Sequence, residues 1–105
     1  MNKKIEMIKG FRFFLLKQIE HLTTKQLNEI PLGHNNNVIW NLAHMTTVVQ
    51  NMCYVRAGLP VAISERYVSP FMPGTRPNGW INEQEIEHIK EVFVTSLDQL
   101  QSDLD

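Results

Sequence analysis

The sequence predicts an all-α protein, an antiparallel helical bundle with one long crossover loop. Three long segments place their apolar residues at the three-, four- and seven-residue spacings of a helix face. A proline-rich connection, residues 59–81, separates the second segment from the third. No stretch alternates apolar and polar residues for long enough to form a sheet, and no repeat is present. At 105 residues the chain fits one domain, which we place at residues 1–105.

The first helix is predicted over residues 3–22. Its apolar face consists of Ile5, Ile8, Leu15, Ile19 and Leu22. Thr23 and Gln26 then have the spacing of a capping box, so a short helical turn should begin there. Pro31 and Gly33 end that turn.

The second helix is predicted to begin within residues 35–37, because asparagine is a good N-cap. It should run to Ala57, where Gly58 and Pro60 act as stop signals. Its apolar seam is formed by Val38, Leu42, Met45, Val49 and Met52. Apolar residues cover more than half of this helix, which is typical of a helix at the centre of a bundle. The width of the apolar arc indicates that a packing partner is missing.

The third helix is predicted to begin at Asn82, which forms a second capping-box pattern with Glu85. Its apolar stripe consists of Ile86, Ile89, Phe93, Leu97, Leu100 and Leu104. The connection before it holds four of the five prolines together with Tyr67, Phe71 and Trp80. Ordered loops of this length usually form the lip or lid of a site, and a plain crossover strap is the alternative.

The net charge and the cysteine content exclude several classes of function and of site. Ten Lys and Arg residues against eleven Asp and Glu give a net charge of -1, which argues against a non-specific binder of nucleic acid or anionic membranes. The basic residues of the first helix, Arg12 among them, are interpreted as solvated surface opposite an acidic third helix, and charge-guided pairing of neighbouring helices or subunits is the alternative. A single cysteine excludes an internal disulfide and a multi-cysteine zinc site. We therefore expect a cytoplasmic protein without a membrane span.

His44 lies inside the apolar arc of the second helix, accompanied by Asn41 and Asn51. Polar groups in such an arc need hydrogen-bond partners, because each buried group left without one lowers the stability of the fold by about 1–3 kcal/mol. Two interpretations follow. His44 is either a core histidine bonded to a neighbour, or a metal ligand or general base in a bundle pocket.

Three segments carry a resemblance to a known family. They are I-P-L-G-H-N-N-N-V-I-W-N-L-A-H at 30–44, Y-V-R-A-G-L-P at 54–60 and G-T-R-P at 74–77. Together they resemble the DinB-like superfamily, over essentially the whole chain and in order. The resemblance implies a four-helix bundle of up-down-down-up type, with a long crossover between its second and third helices. It also implies a divalent metal, zinc or nickel, held by three histidines, of which the W-N-L-x-H element supplies one, here His44.

The sequence departs from this family pattern at its end. The other two ligands of the family form an H-x-x-x-H pair on a fourth helix, and no two histidines here have that spacing. Only three long helices are present, so we expect a domain that lacks its C-terminal helix. It could be a fragment, a truncated gene product or part of a longer protein. A metal would bind only if further ligands came from the missing helix or from another subunit.

Two functions are compatible with these features. The first is a divalent-metal-dependent DinB-like enzyme of thiol-transferase, isomerase or hydrolase type, with a small-molecule thiol or other substrate. Its pocket would be lined by Trp40, Asn41, Val48 and Asn51, and its catalytic residues are not identified. The second is a non-catalytic bundle that forms a homodimer through its open apolar groove.

Overall fold

Four α-helices make up the described part of the fold. The computed structural model describes residues 3–77 and 79–104, with only the backbone of residue 65. The helices are α1 (Lys3–Ile19), α2 (Thr24–Asn28), α3 (Val38–Cys53) and α4 (Glu83–Leu104). Short 3₁₀ turns cover Val55–Ala57, Glu65–Tyr67 and Ser69–Phe71, and no strand occurs among the described residues. The predicted all-α class, with three long helices, is confirmed.

Local capping explains where the helices begin. At the start of α2, Thr23 Oγ1 accepts from the backbone N–H of Gln26 (3.1 Å), and Gln26 Oε1 accepts from the backbone N–H of Thr23 (2.9 Å). This is the predicted capping box. Asn37 caps α3, since its Oδ1 accepts from the backbone N–H of Trp40 at 2.8 Å. Asn82 Oδ1 accepts in the same way from the backbone N–H of Glu85, at 2.8 Å.

The helices end earlier than predicted. α1 stops at Ile19 and α3 at Cys53. Beyond α3 the chain tightens into the Val55–Ala57 turn, and Gly58 adopts the left-handed conformation with φ of 78°. Glycine adopts this conformation without a steric penalty, which explains why the chain turns away there.

Contacts between helix ends define the topology. Ile5, near the start of α1, packs in one cluster with Leu100, near the end of α4, so these two helices are antiparallel. Tyr54, directly after α3, belongs to the same cluster. Trp40, at the start of α3, packs with Ile89, near the start of α4. α3 and α4 are therefore parallel, and the connection between them crosses the length of the bundle. This is the up-down-down order expected for the first three helices of the predicted bundle.

The core face of α3 differs from the predicted seam. Of that seam, Leu42 is buried, whereas Val38, Met45 and Val49 are half-buried and Met52 is exposed. The buried face instead includes three polar residues, Thr46, Thr47 and Gln50. Apolar periodicity missed this face because polar side chains occupy it.

The crossover loop is tied to the bundle at its middle and at its C-terminal end. Phe71 is buried in the main core, where it packs with the helices. Near α4, the Asn28 side chain makes two bonds to the backbone of Ile81: Nδ2 donates to the carbonyl oxygen (2.8 Å), and Oδ1 accepts from the N–H (2.7 Å). These bonds fix the loop end beside α2. No helix among the described residues is long and apolar enough to cross a bilayer.

Candidate functional site

His44 is held by the crossover loop and by its own helix. Its Nδ1 lies 2.6 Å from the carbonyl oxygen of Phe71. A carbonyl oxygen can only accept, so Nδ1 donates, and the second nitrogen of the neutral ring, Nε2, carries the lone pair. The imidazole also stacks on the Trp40 ring, with centroids 4.6 Å apart and an interplanar angle of 14°. Two independent contacts therefore fix the tautomer and the orientation of this half-buried ring.

The same side of α3 bonds to the loop at three more points. The pairs are Trp40 Nε1 to the oxygen of Pro70 (3.3 Å), Thr47 Oγ1 to the oxygen of Tyr67 (3.1 Å), and the N–H of Ala62 to Gln50 Oε1 (2.8 Å). All three hydrogen bonds are part-buried, and a hydrogen bond of this kind contributes about 0.5–1.5 kcal/mol to stability. Thr47 and Gln50, like His44, thus attach the loop to α3.

The four predicted pocket-lining residues occupy different surroundings. Trp40 is buried and lines a pocket under the loop. Asn41 is exposed, and its Nδ2 donates to the carbonyl oxygen of Asn37 at 2.9 Å. Val48 is half-buried. Asn51 is half-buried as well, and its Nδ2 lies 3.2 Å from Met72 Sδ.

The pocket under the loop, here called the loop pocket, has a volume of about 330 Å³. Its walls come from the start of α3, the crossover loop and the first turns of α4. The loop contributes the aromatic residues Tyr67, Phe71 and Trp80, and Arg66 and Glu85 form an ion pair within the lining. Sequence reasoning treated the loop as a possible lip but did not identify Arg66 or Glu85. The predicted capping box assigns the Glu85 carboxylate to the backbone N–H of Asn82, whereas the structure pairs this carboxylate with Arg66.

The other three histidines, His21, His34 and His88, are exposed. His88 Nδ1 lies 3.3 Å from the hydroxyl of Tyr67, and His21 and His34 lie in the segments that flank α2. Among residues 3–77 and 79–104, no three His, Cys, Asp or Glu side chains are placed to hold a metal ion. A catalytic zinc site needs three protein ligands and a water. The described residues therefore fit one ligand of such a site and not the whole site.

Comparison with known protein families gives a match that covers most of the chain. No curated protein and no solved structure matches the chain. A family model described as DinB superfamily matches residues 14–105, which is most of the chain.

Proposed function

Because the chain belongs to the DinB superfamily, we propose that Nε2 of His44 is one ligand of a divalent-metal site, zinc or nickel. The other ligands come from a second copy of the chain or from a further segment of the protein. The observation that carries this proposal is the 2.6 Å contact between His44 Nδ1 and the oxygen of Phe71. Metal-binding histidines typically donate their second ring N–H to a carbonyl or carboxylate, which orients the ring and raises its basicity.

The stacked Trp40 ring supports the same role. Fixing an imidazole in advance lowers the entropic cost of metal binding, because the ligand does not have to be ordered when the ion arrives. The proposal stops at ligand donation, since a single imidazole does not define a reaction. The thiol-transferase, isomerase or hydrolase activity and the cytoplasmic location predicted from the sequence stay predictions.

Metal content tests this proposal. Protein made without a histidine tag or chelators is incubated with Zn²⁺ or Ni²⁺, desalted and analysed for bound metal. We expect bound metal in the native protein and none after His44→Gln. The exposed His34→Gln and His88→Gln variants serve as matched controls and should keep it. Full metal retention in His44→Gln, or no retention in the native protein, would contradict the proposal.

A homodimer that buries apolar surface is the second candidate. Met7, Phe11 and Phe14 lie at helical spacing on one side of α1 and are all more than half exposed. None of the three is among the buried residues of α1, which are Ile5 and Arg12. We call these three residues the α1 stripe. Exposed apolar patches of this kind are typical of interaction surfaces, and two-fold self-association is the commonest way to cover one.

A further inference from the structure

The loop pocket lies next to the proposed metal ligand, because Trp40 and Phe71 line it and also contact His44. At about 330 Å³ it is at the small end of the range for ligand pockets, roughly 300–1,000 Å³. Four aromatic side chains line it: Trp40, Tyr67, Phe71 and Trp80. His44 is not among its lining residues. Its size and composition suit a small organic ligand with an apolar or aromatic body.

The two charged residues of the pocket are not equivalent. The Glu85 side chain is 23% exposed and belongs to the first turn of α4, where Asn82 caps its backbone N–H. The Arg66 side chain is 64% exposed and projects from the short Glu65–Tyr67 turn. A long side chain on a loop is more readily displaced than a short one on a helix. The fixed charge of the pocket is therefore the Glu85 carboxylate.

Arg66 currently occupies the place that a bound cation would take. Its guanidinium pairs with Glu85 and lies 5.9 Å from the centre of the Tyr67 ring. A cation within about 6 Å of an aromatic face is attracted to it, and a carboxylate adds to that attraction. Glu85 and Tyr67 thus already bind one cation, the guanidinium of Arg66. Because Arg66 is exposed, a cationic ligand can displace it.

We propose that the loop pocket binds a small organic cation, an amine or quaternary ammonium attached to an apolar group. Glu85 is the counter-ion of the ligand, the aromatic residues surround it, and Arg66 competes with it for Glu85. The proposal goes beyond the proposed metal ligand and does not depend on it. Added chelator should therefore leave this binding unchanged.

The test is an NMR titration of the full chain with three probes of similar size: benzyltrimethylammonium, phenylacetate and benzyl alcohol. The chain has two tryptophans, and both line the pocket, so their two indole N–H resonances report on it. We expect saturable shifts of both resonances with the cation, and weaker or no shifts with the anion and the neutral probe. No saturation by the cation up to about 10 mM, or tighter binding of the anion, would overturn the proposal.

Charge variants then decide which residue recognises the ligand. Glu85→Gln should weaken cation binding about tenfold, the loss of one charge-assisted contact. Arg66→Gln should strengthen it, because the competing guanidinium is gone. Glu87→Gln is the matched control: it changes an exposed carboxylate of the same helix that is outside the pocket and should have no effect. Equal affinity in Glu85→Gln and the native protein, or weaker binding in Arg66→Gln, would overturn the assignment.

Discussion

The guanidinium of Arg12 lies 4.7 Å from the centre of the Phe93 ring and donates from Nη1 to the carbonyl oxygen of the same residue at 2.7 Å. Its Nη2 donates to the oxygen of Met45 at 3.3 Å, so one side chain of α1 reaches both α3 and α4. Arg12 is 2% exposed, and burial lowers its pKa to about 10. It therefore remains charged at neutral pH, held by two carbonyls and an aromatic face. The prediction that Arg12 lies on a solvated surface is therefore wrong.

Removing the charge of Arg12 should cost less than removing its volume. Both carbonyls lie inside helices and have helical partners of their own, and Arg12 Nε has no hydrogen-bond partner among the described residues. Arg12→Met should therefore stay within about 1 kcal/mol of the native stability or exceed it. Arg12→Ala should lose about 2–4 kcal/mol through the cavity it leaves. Urea unfolding measures both values, and equal losses in the two variants would contradict this account.

Tyr54 should make stability depend on alkaline pH. Burial of its phenol, with a 2.5 Å hydrogen bond to the Asp103 carboxylate, raises the pKa of Tyr54 to about 12. The folded state thus holds a proton that the unfolded chain releases near pH 10, its usual pKa. Its stabilising contribution is complete below about pH 10 and is lost as pH rises through about 12.

Comparison with Tyr54→Phe isolates this effect, because the opposite contribution of the lowered Arg12 pKa is common to both proteins. The stability advantage of the native protein over the variant should shrink by up to about 1 kcal/mol between about pH 8 and pH 11. Urea unfolding across that range is the measurement. An advantage that is constant or grows with pH would contradict the assignment.

Local signals in the sequence were enough to place the helices. Thr23 and Asn37 cap neighbours three residues away, so their roles follow from spacing alone. The three long helices and the crossover loop followed from apolar spacing and proline content. The DinB resemblance, carried by the segments around Trp40 and His44, was confirmed by the family match.

Long-range contacts could not be predicted in this way. Arg12 and Phe93 are 81 residues apart, and Asn28 and Ile81 are 53 apart, so no local pattern links them. The hydrogen-bond partner of His44 could not be predicted either, because it is a backbone carbonyl oxygen of the loop. Every residue has such an oxygen, so the sequence does not single one out. The sequence predicted that His44 needs a hydrogen-bond partner, and the fold identifies that partner as the carbonyl oxygen of Phe71.

The Asn28 clamp should hold the loop end in place. Asn28→Ala removes two bonds to the backbone of Ile81 and leaves buried polar groups unmatched, at a cost of about 1–3 kcal/mol. The amide of Ile81 should then exchange with solvent faster than in the native protein. The exposed Asn35→Ala serves as control and should change neither quantity. Unchanged exchange at Ile81 in the Asn28 variant would show that the clamp does not hold the loop.

The α1 stripe should mediate any self-association. Phe11→Glu places a charge in the middle of the stripe and should leave the protein monomeric. Phe13→Glu is the matched control, because Phe13 is as exposed as Phe11, at 53% against 54%, and lies on another side of α1. Sedimentation velocity measures the difference. A native protein that is monomeric at about 100 µM, or equal effects of the two variants, would contradict the homodimer.

Long-range ¹H–¹⁵N NMR of the histidine side chains tests the central claim most directly, because it observes Nδ1 and Nε2 separately. The account predicts that neutral His44 carries its proton on Nδ1, bonded to the oxygen of Phe71. On addition of Zn²⁺, the Nε2 resonance of His44 should shift while Nδ1 keeps its proton, and His34 and His88 should not change. A proton on Nε2 of neutral His44, or zinc binding that leaves His44 unperturbed, would contradict the role proposed for this residue.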